Sequence, residues 1–273
     1  MNETAVTAAS TAPAWLAAAR AHANRPTLRM RMPFVVDGED VGSVETVVMD
    51  RIVEHLPGGH RLFFHDAAWH LQSANGNATQ AMNTLAQAMR ELGLNGPWRN
   101  EQLVVCNEDG KRIGMIERGL VRPLAIATCA VHLIGTAPDG RMWVQQRAFN
   151  KANNPGMWDT LMGGMVSAAD SLEQALERET WEEAGLRIAD LQSLRHGGHV
   201  DFQQPAEEEN NAGYMRERID WFSAVVPAHI EPANQDGEVE RFELWTTAVV
   251  HDHLARGEFT PEAALLLADY FGW

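Results

Sequence analysis

GGMVSAADSLEQALERETWEEAGL, residues 163–186, is the stretch on which the reading of this chain turns. Asp170 and Glu173 have the spacing of a capping box, so a helix is expected to begin at Ser171, run to Ala184 and end at Gly185. Its apolar face is Leu172, Ala175, Leu176 and Thr180. The other face carries Glu179, Glu182 and Glu183 at i, i+3 and i+4, toward a helix end taken to be exposed. Like charges at that spacing repel, and the helix dipole disfavours negative charge near a C-terminus. A solvated acidic face is the plain account of such a helix. The alternative is that the carboxylates are there to hold a cation.

The rest of the segment favours the second account. Gly164, five residues, Asp170, seven residues, then Arg178, Glu179, Thr180, Glu182, Glu183, Gly185 and Leu186 resemble the Nudix box, with Asp170 in place of the family's first glutamate and Thr180 at an apolar position. The resemblance implies a hydrolase of diphosphate linkages that depends on Mg²⁺ or Mn²⁺. A diphosphate repels an attacking hydroxide, and divalent ions held by carboxylates neutralise it and acidify a bound water. By the same resemblance Glu179, Glu182 and Glu183 contact metal, with Glu179 a candidate base. The Gly163 carbonyl completes a coordination shell, and Arg178 orients the glutamates through charge-assisted hydrogen bonds. Which glutamate takes the proton is left open, and Asp170 is expected to support the site from the loop before the helix.

Outside the box, Arg147 and Lys151 are candidates for phosphate contact, against the alternative of two solvated loop cations. Asp236, Glu238 and Glu240 lie in QDGEVERFELW at 235–245, where the family often supplies a further carboxylate; Glu238 or Glu240 is the candidate, against a polar strand edge. Glu207, Glu208 and Glu209 read as a solvated loop. His196, His199, His251 and His253 have no third ligand at a telling distance and read as structural.

QQRAFNKANNPGMWDTLMGGMV at 145–166 is similar to the Nudix branch related to thiamine-pyrophosphokinase-associated hydrolases. WRNE at 98–101, a hairpin at 103–117 and FVVDGEDVGSV at 34–44 resemble the N-terminal domain that accompanies it. The fold implied is α/β, a Nudix α/β/α sandwich with a mixed sheet behind a small α+β accessory domain. The substrate implied is thiamine diphosphate or an analogue, cleaved to the monophosphate. Trp158 and Trp98 offer aromatic faces for a flat cationic ring, with core packing as the competing role. Alternatives are a nucleoside-diphosphate-linked substrate such as ADP-ribose or a dinucleotide, a non-catalytic nucleotide sensor, and isopentenyl-diphosphate isomerase. That isomerase chemistry needs a cysteine where Thr160, Leu161 and Met162 stand.

The remainder of the 273 residues is consistent with this. Hydrophobic residues make up 45% and charged residues 22%, an ordinary globular mix. Twenty-two lysines and arginines against 37 acids give a net charge of −15, which opposes binding to a nucleic-acid polymer or an anionic membrane. A small-molecule diphosphate is the expected partner. Cys106 and Cys129 lack metal or redox spacing, and neither a secretory signal nor a long apolar run is visible, so the expected location is cytoplasmic. Residues 1–12 read as a disordered tail, 13–120 as the accessory domain and 121–273 as the hydrolase domain. Within the accessory block, helices are expected at Pro13–Asn24, 44–56 and 78–92, with short strands at 33–36 and 61–71.

Overall fold

The computed structural model describes residues 12–53, 56–206 and 213–273, so the tail reading for the first residues and the loop reading for Glu207–Glu209 lie outside the described residues. Helix α1 (Ala14–Ala23) is followed by β1 (Met32–Val36) and β2 (Glu39–Val44), an antiparallel pair joined at Asp37-Gly38. Next come α2 (Thr46–Asp50), β3 (Arg61–His65) and β4 (Ala68–Gln72). These strands form one sheet in the order β2-β1-β4-β3, with β1 and β4 parallel. α3 (Ala78–Glu91) starts where the Asn77 side chain accepts from the Gln80 amide, and buries Met82, Leu85 and Met89. It packs on the hairpin of β5 (Gln102–Cys106) and β6 (Arg112–Glu117).

The helix expected over 44–56 is cut down to α2. Val44 is a buried end of β2, paired with Met32, and the β-branched Val44, Val47 and Val48 suit a strand as readily as a helix.

The second unit is built on β7 (Thr128–Thr136), β8 (Met142–Arg147), β9 (Trp158–Asp159), β10 (Met162–Met165), α4 (Leu172–Ala184), β11 (Gln192–Ala206), β12 (Gly213–Val225), β13 (Val239–Trp245), α5 (Thr247–Ala255) and α6 (Pro261–Tyr270). Its sheet runs β11-β12-β7-β8-β13, with β10 on β7 and β9 on β8. β12 and β7 are parallel and their neighbours antiparallel, so the sheet is mixed. Alternation along β7 sends Val131 and Leu133 to one face, against Ala175, Leu176 and Ala184 of α4. It sends Ala130 and Ile134 to the other, against α5, α6 and Leu16 of α1. The result is an α/β/α sandwich, as expected. Each leucine that α6 buries here (Leu265, Leu266, Leu267) is worth roughly 1.5–3 kcal/mol.

The division near residue 120 remains a proposal, and two contacts qualify it. α1, counted with 13–120, packs on the second core, with Leu16 and Ala23 buried there. Leu120, Val121, Leu124 and Ile126 belong to the first core, and Met165 of β10 packs against it. The connecting segment presses closely on β2 at Gly42, where a side chain would collide with the Leu124 carbonyl, 2.4 Å from the would-be Cβ. Among the described residues no helix is long and apolar enough to cross a membrane.

Candidate active site

The helix α4 begins one residue later than its capping signal suggested. Ser171, rather than Asp170, is the cap: its hydroxyl accepts from the Gln174 amide at 3.2 Å, and Gln174 Oε1 accepts from the Ser171 amide at 2.8 Å. Asp170 is therefore free to accept from Arg178 Nε at 2.8 Å. At the other end Gly185 closes the helix with φ +63°, a left-handed turn that glycine adopts without strain. Two further glycines have steric reasons. A Cβ at Gly164 would lie 2.1 Å from the Glu179 carboxyl carbon, and one at Gly163 would lie 2.3 Å from the His132 ring.

The three box glutamates do not share one environment. Glu182 is the open one, with 43% of its side chain exposed; Glu179 retains 15%. Glu183, placed by the sequence at an exposed helix end, is instead 3% exposed. Its Oε2 accepts from the Gly163 amide at 3.0 Å and from Gln145 Nε2 at 2.9 Å. Burial pushes its carboxyl up to about 8 against the pull of those two donors, and burial likewise raises Glu179 against Arg178. Arg178 Nη1 donates to Glu179 at 2.8 Å and to Glu182 at 3.1 Å, while Nη2 reaches the Met165 carbonyl at 3.2 Å. One guanidinium thus ties the loop, the helix and β10 together.

All of this opens on a cleft of about 770 Å³ at the junction of the two units. The segment 233–238 brings in a fourth carboxylate. Its Ala233 and Gln235 amides donate to the Ala184 and Glu182 carbonyls at the end of α4, and Glu238 then lies on the cleft wall paired with Lys151. Burial works to raise Glu238, but the Lys151 ammonium holds it below the usual carboxylate range. Arg147 lines the cleft as well, held by the Asn153 carbonyl and 3.6 Å from Asp159. Of the sequence candidates, three are not brought here. Glu240 is exposed beside the β13 bulge and does not line the cleft. Trp158 is buried in the second core, 4.3 Å from Trp245 between ring centroids, and Trp98 stacks under Arg90. Neither tryptophan lines the cleft, so core packing accounts for Trp158. His196 pairs with Asp220, and His251 and His253 sit among Phe271, Trp273 and Trp245, as structural histidines do.

Several lining residues were not singled out by the sequence as site candidates. His132 sits at mid-strand in β7 with 7% exposure, its Nδ1 2.8 Å from Thr160 Oγ1. Asp159 accepts from the Thr160 amide and the Thr260 hydroxyl. Glu262 stands in the first turn of α6. From the other unit and the connecting segment come Arg99, Arg118 paired with Glu101, and Arg122 paired with Glu217. Isolated in sequence, such residues show only when two units fold together.

The donor set suits a hard divalent cation. It consists of carboxylates and a backbone carbonyl, and Gln145 Oε1 beside Glu183 is buried without a hydrogen-bond partner. A buried carboxyl pushed toward neutrality next to an unsatisfied oxygen is stabilised by a positive ion. Among the described residues no three such groups already converge into a cage, and Arg178 engages Glu179 and Glu182.

The NUDIX domain model matches residues 126–267. Curated relatives include Nudix hydrolase 20, chloroplastic, of Arabidopsis thaliana, 24% identical over 88% of this chain and 67% of its own length. An uncharacterised protein of Saccharomyces cerevisiae is 25% identical over 63% of this chain and 54% of its own. An isopentenyl-diphosphate Delta-isomerase of Leifsonia xyli is 36% identical over 32% of this chain and 48% of its own. The chain thus spans about half to two thirds of the length of these relatives. Among solved structures, the Deinococcus radiodurans protein DR0079 aligns with a TM-score of 0.46 at 22% identity, over 59% of this chain and 92% of that one.

Proposed function

From the premise that this chain belongs to the Nudix family, we propose that it hydrolyses the diphosphate linkage of a small organic diphosphate with Mg²⁺ or Mn²⁺. The observation that carries the reading is the meeting of Glu179, Glu182, Glu183 and Glu238 with Arg147 and Lys151 on one cleft. Glu179, Glu182, Glu183 and the Gly163 carbonyl are the residues that would hold the metal, with Glu238 available from the segment anchored to the end of α4. When bound, the metal neutralises phosphate charge and acidifies water. The chain's own residues do the rest. Arg178 fixes the side chains of Glu179 and Glu182, and the Gly163 amide and Gln145 fix Glu183. Arg147 and Lys151 supply positive charge for the phosphate oxygens. Glu179, partly desolvated beside Arg178, is the group proposed to take a proton from the attacking water.

For the substrate we carry forward thiamine diphosphate or an analogue, cleaved to the monophosphate. The resemblance of residues 145–166 to the thiamine-associated branch supports it, while the tryptophans that would have stacked on the ring do not line the cleft. The isomerase reading loses ground because neither Cys106 nor Cys129 lines the cleft. The test is release of phosphate and monophosphate from thiamine diphosphate, ADP-ribose, NADH and dimethylallyl diphosphate, with Mg²⁺ or Mn²⁺. Cleavage of thiamine diphosphate at least tenfold better than ADP-ribose is expected. A tenfold preference for ADP-ribose or NADH overturns the thiamine substrate alone, and no cleavage of any overturns the hydrolase.

A further inference from the structure

Asp159 is a carboxylate on the wall of the cleft, with only 3% of the residue exposed. A buried acid beside the path of an anion repels that anion and is itself costly to desolvate, so it calls for partners. Its surroundings supply them. Asp159 lies opposite Gln145 in register where β9 pairs with β8, two positions before Arg147 on that strand. Its Oδ1 accepts from the Thr160 amide at 2.8 Å, and Oδ2 accepts from the Thr260 hydroxyl at 3.2 Å. Thr260 is fixed in turn: its amide donates to the Trp158 carbonyl at 2.8 Å, and its hydroxyl accepts from the Ala263 amide at 3.1 Å as the cap of α6.

The oxygen that takes the Thr260 hydroxyl also faces Arg147, whose Nη1 lies 3.6 Å away with the side chain 16% exposed. On its other edge the guanidinium donates to the Asn153 carbonyl, from Nε at 3.3 Å and from Nη2 at 3.2 Å. Arg147 is thus gripped from two sides, by the segment that follows β8 and by the start of α6 acting through Asp159. The planar fork has donors left over for the cleft it lines. A long side chain already held in one pose loses less freedom on meeting phosphate, which favours binding.

We propose that Asp159 is a positioning residue: it holds Arg147 Nη1, with α6 behind it through Thr260, so that the remaining guanidinium donors face the phosphates. The inference rests on the proposed contact of Arg147 with the diphosphate. The sign of the effect is diagnostic. Neutralising a carboxylate near an anion tightens binding where the charge acts directly, whereas losing the grip on Arg147 weakens it.

The test is calorimetric titration of the full chain, in Mg²⁺, with imidodiphosphate, whose P–N–P bridge resists hydrolysis. Asp159→Asn keeps the shape and an acceptor for Thr260 but removes the charge, and should weaken binding at least fivefold. In an Arg147→Ala background the same substitution should change affinity less than twofold, because the residue acts through that arginine. Asp159→Glu, which keeps the charge and shifts it by one methylene, is read in the same cycle and should show the same dependence on Arg147. Melting curves establish which variants are folded, and either acid variant alone decides the matter. Unchanged or tighter binding in folded Asp159→Asn, or an equal loss with and without Arg147 in either variant, overturns the proposal. Arg147→Ala that binds as tightly as wild type overturns the phosphate contact of Arg147 and this proposal with it, while leaving the glutamate metal site standing.

Discussion

Arg178 Nε donates to Asp170 Oδ2 at 2.8 Å, joining the loop before α4 to the second turn of that helix, with both side chains largely shielded from water. The same guanidinium holds Glu179 and Glu182. Asp170 thus acts on the carboxylates through Arg178. Asp170→Ala should lower kcat/KM by ~10–100-fold with a parallel loss of Mn²⁺ affinity, the usual cost of removing a group that orients ligands. Asp170→Glu, which keeps the charge and adds reach, should recover most of the activity. Metal affinity that stays at the wild-type value in Asp170→Ala would remove Asp170 from this role.

Glu183→Gln should abolish most turnover yet raise the melting temperature of the metal-free protein at pH 8. The reason is burial rather than repulsion along the helix. The amide oxygen of a glutamine can still accept from the Gly163 amide and Gln145, while the cost of a buried charge disappears. Differential scanning in chelator reads the stability, and a phosphate-release assay at saturating Mg²⁺ reads the rate. Near-normal turnover would sink the assignment of Glu183 to the metal site.

These two residues show how far the sequence reading reaches. The box spacing is local, so it placed α4, its left-handed end at Gly185 and the face carrying Glu179, Glu182 and Glu183. It misplaced the cap by one residue because Ser171 and Asp170 are both good caps, and the choice was made by the Arg178 contact, which lies two turns away. That Glu183 is buried depends on Gln145 of β8 and Gly163 of β10, distant in sequence. Long strands such as β11, with QSLRHGGHVDFQQPA, have no clean alternation to betray them; they are held by pairing along β12. His132, Glu262 and Arg122 looked like ordinary strand and loop residues until β7, α6 and the connecting segment met at one cleft.

Glu262 gives a pH dependence whose sign is fixed. Burial raises its carboxyl from 4.5 to about 7, so between those values the folded protein keeps a proton that the unfolded chain has released. Stability from this group therefore falls as pH rises through that window, by up to about 3 kcal/mol above pH 7. Glu262→Gln should be more stable than wild type at pH 8 and close to it at pH 4.5, measured by urea midpoints without ligand. A difference that does not change with pH would show that the carboxyl is not desolvated in the folded state.

Truncation to residues 121–273 isolates the part matched by the family model but removes more than an accessory unit. α1 lies in the second core, where Leu16 is 1% and Ala23 2% exposed, Trp15 meets Trp273 edge-on at 6.2 Å, and Arg20 Nη2 donates to the Trp273 carbonyl at 2.8 Å. Losing one buried leucine and its neighbours costs roughly 2–5 kcal/mol, which for a domain of this size lowers the melting temperature by roughly 5–20 °C. Cutting at 121 also bares the apolar side chains of Leu124, Ile126 and Met165 that pack against the first core. The truncated chain should therefore melt well below the full chain, and fusing residues 12–25 to its N-terminus should restore part of the difference. It also loses Arg99, Glu101 and Arg118 from the cleft. Arg99, whose guanidinium has no partner among the described residues, is the cleaner probe of that wall. Arg99→Ala in the full chain should raise KM several-fold with kcat little changed, the signature of binding shared by ground and transition states, and added salt should narrow the gap. A fragment 121–273 that melts with the full chain would show that α1 contributes nothing to the second core. Unchanged KM in Arg99→Ala would show that the first unit does not touch the substrate.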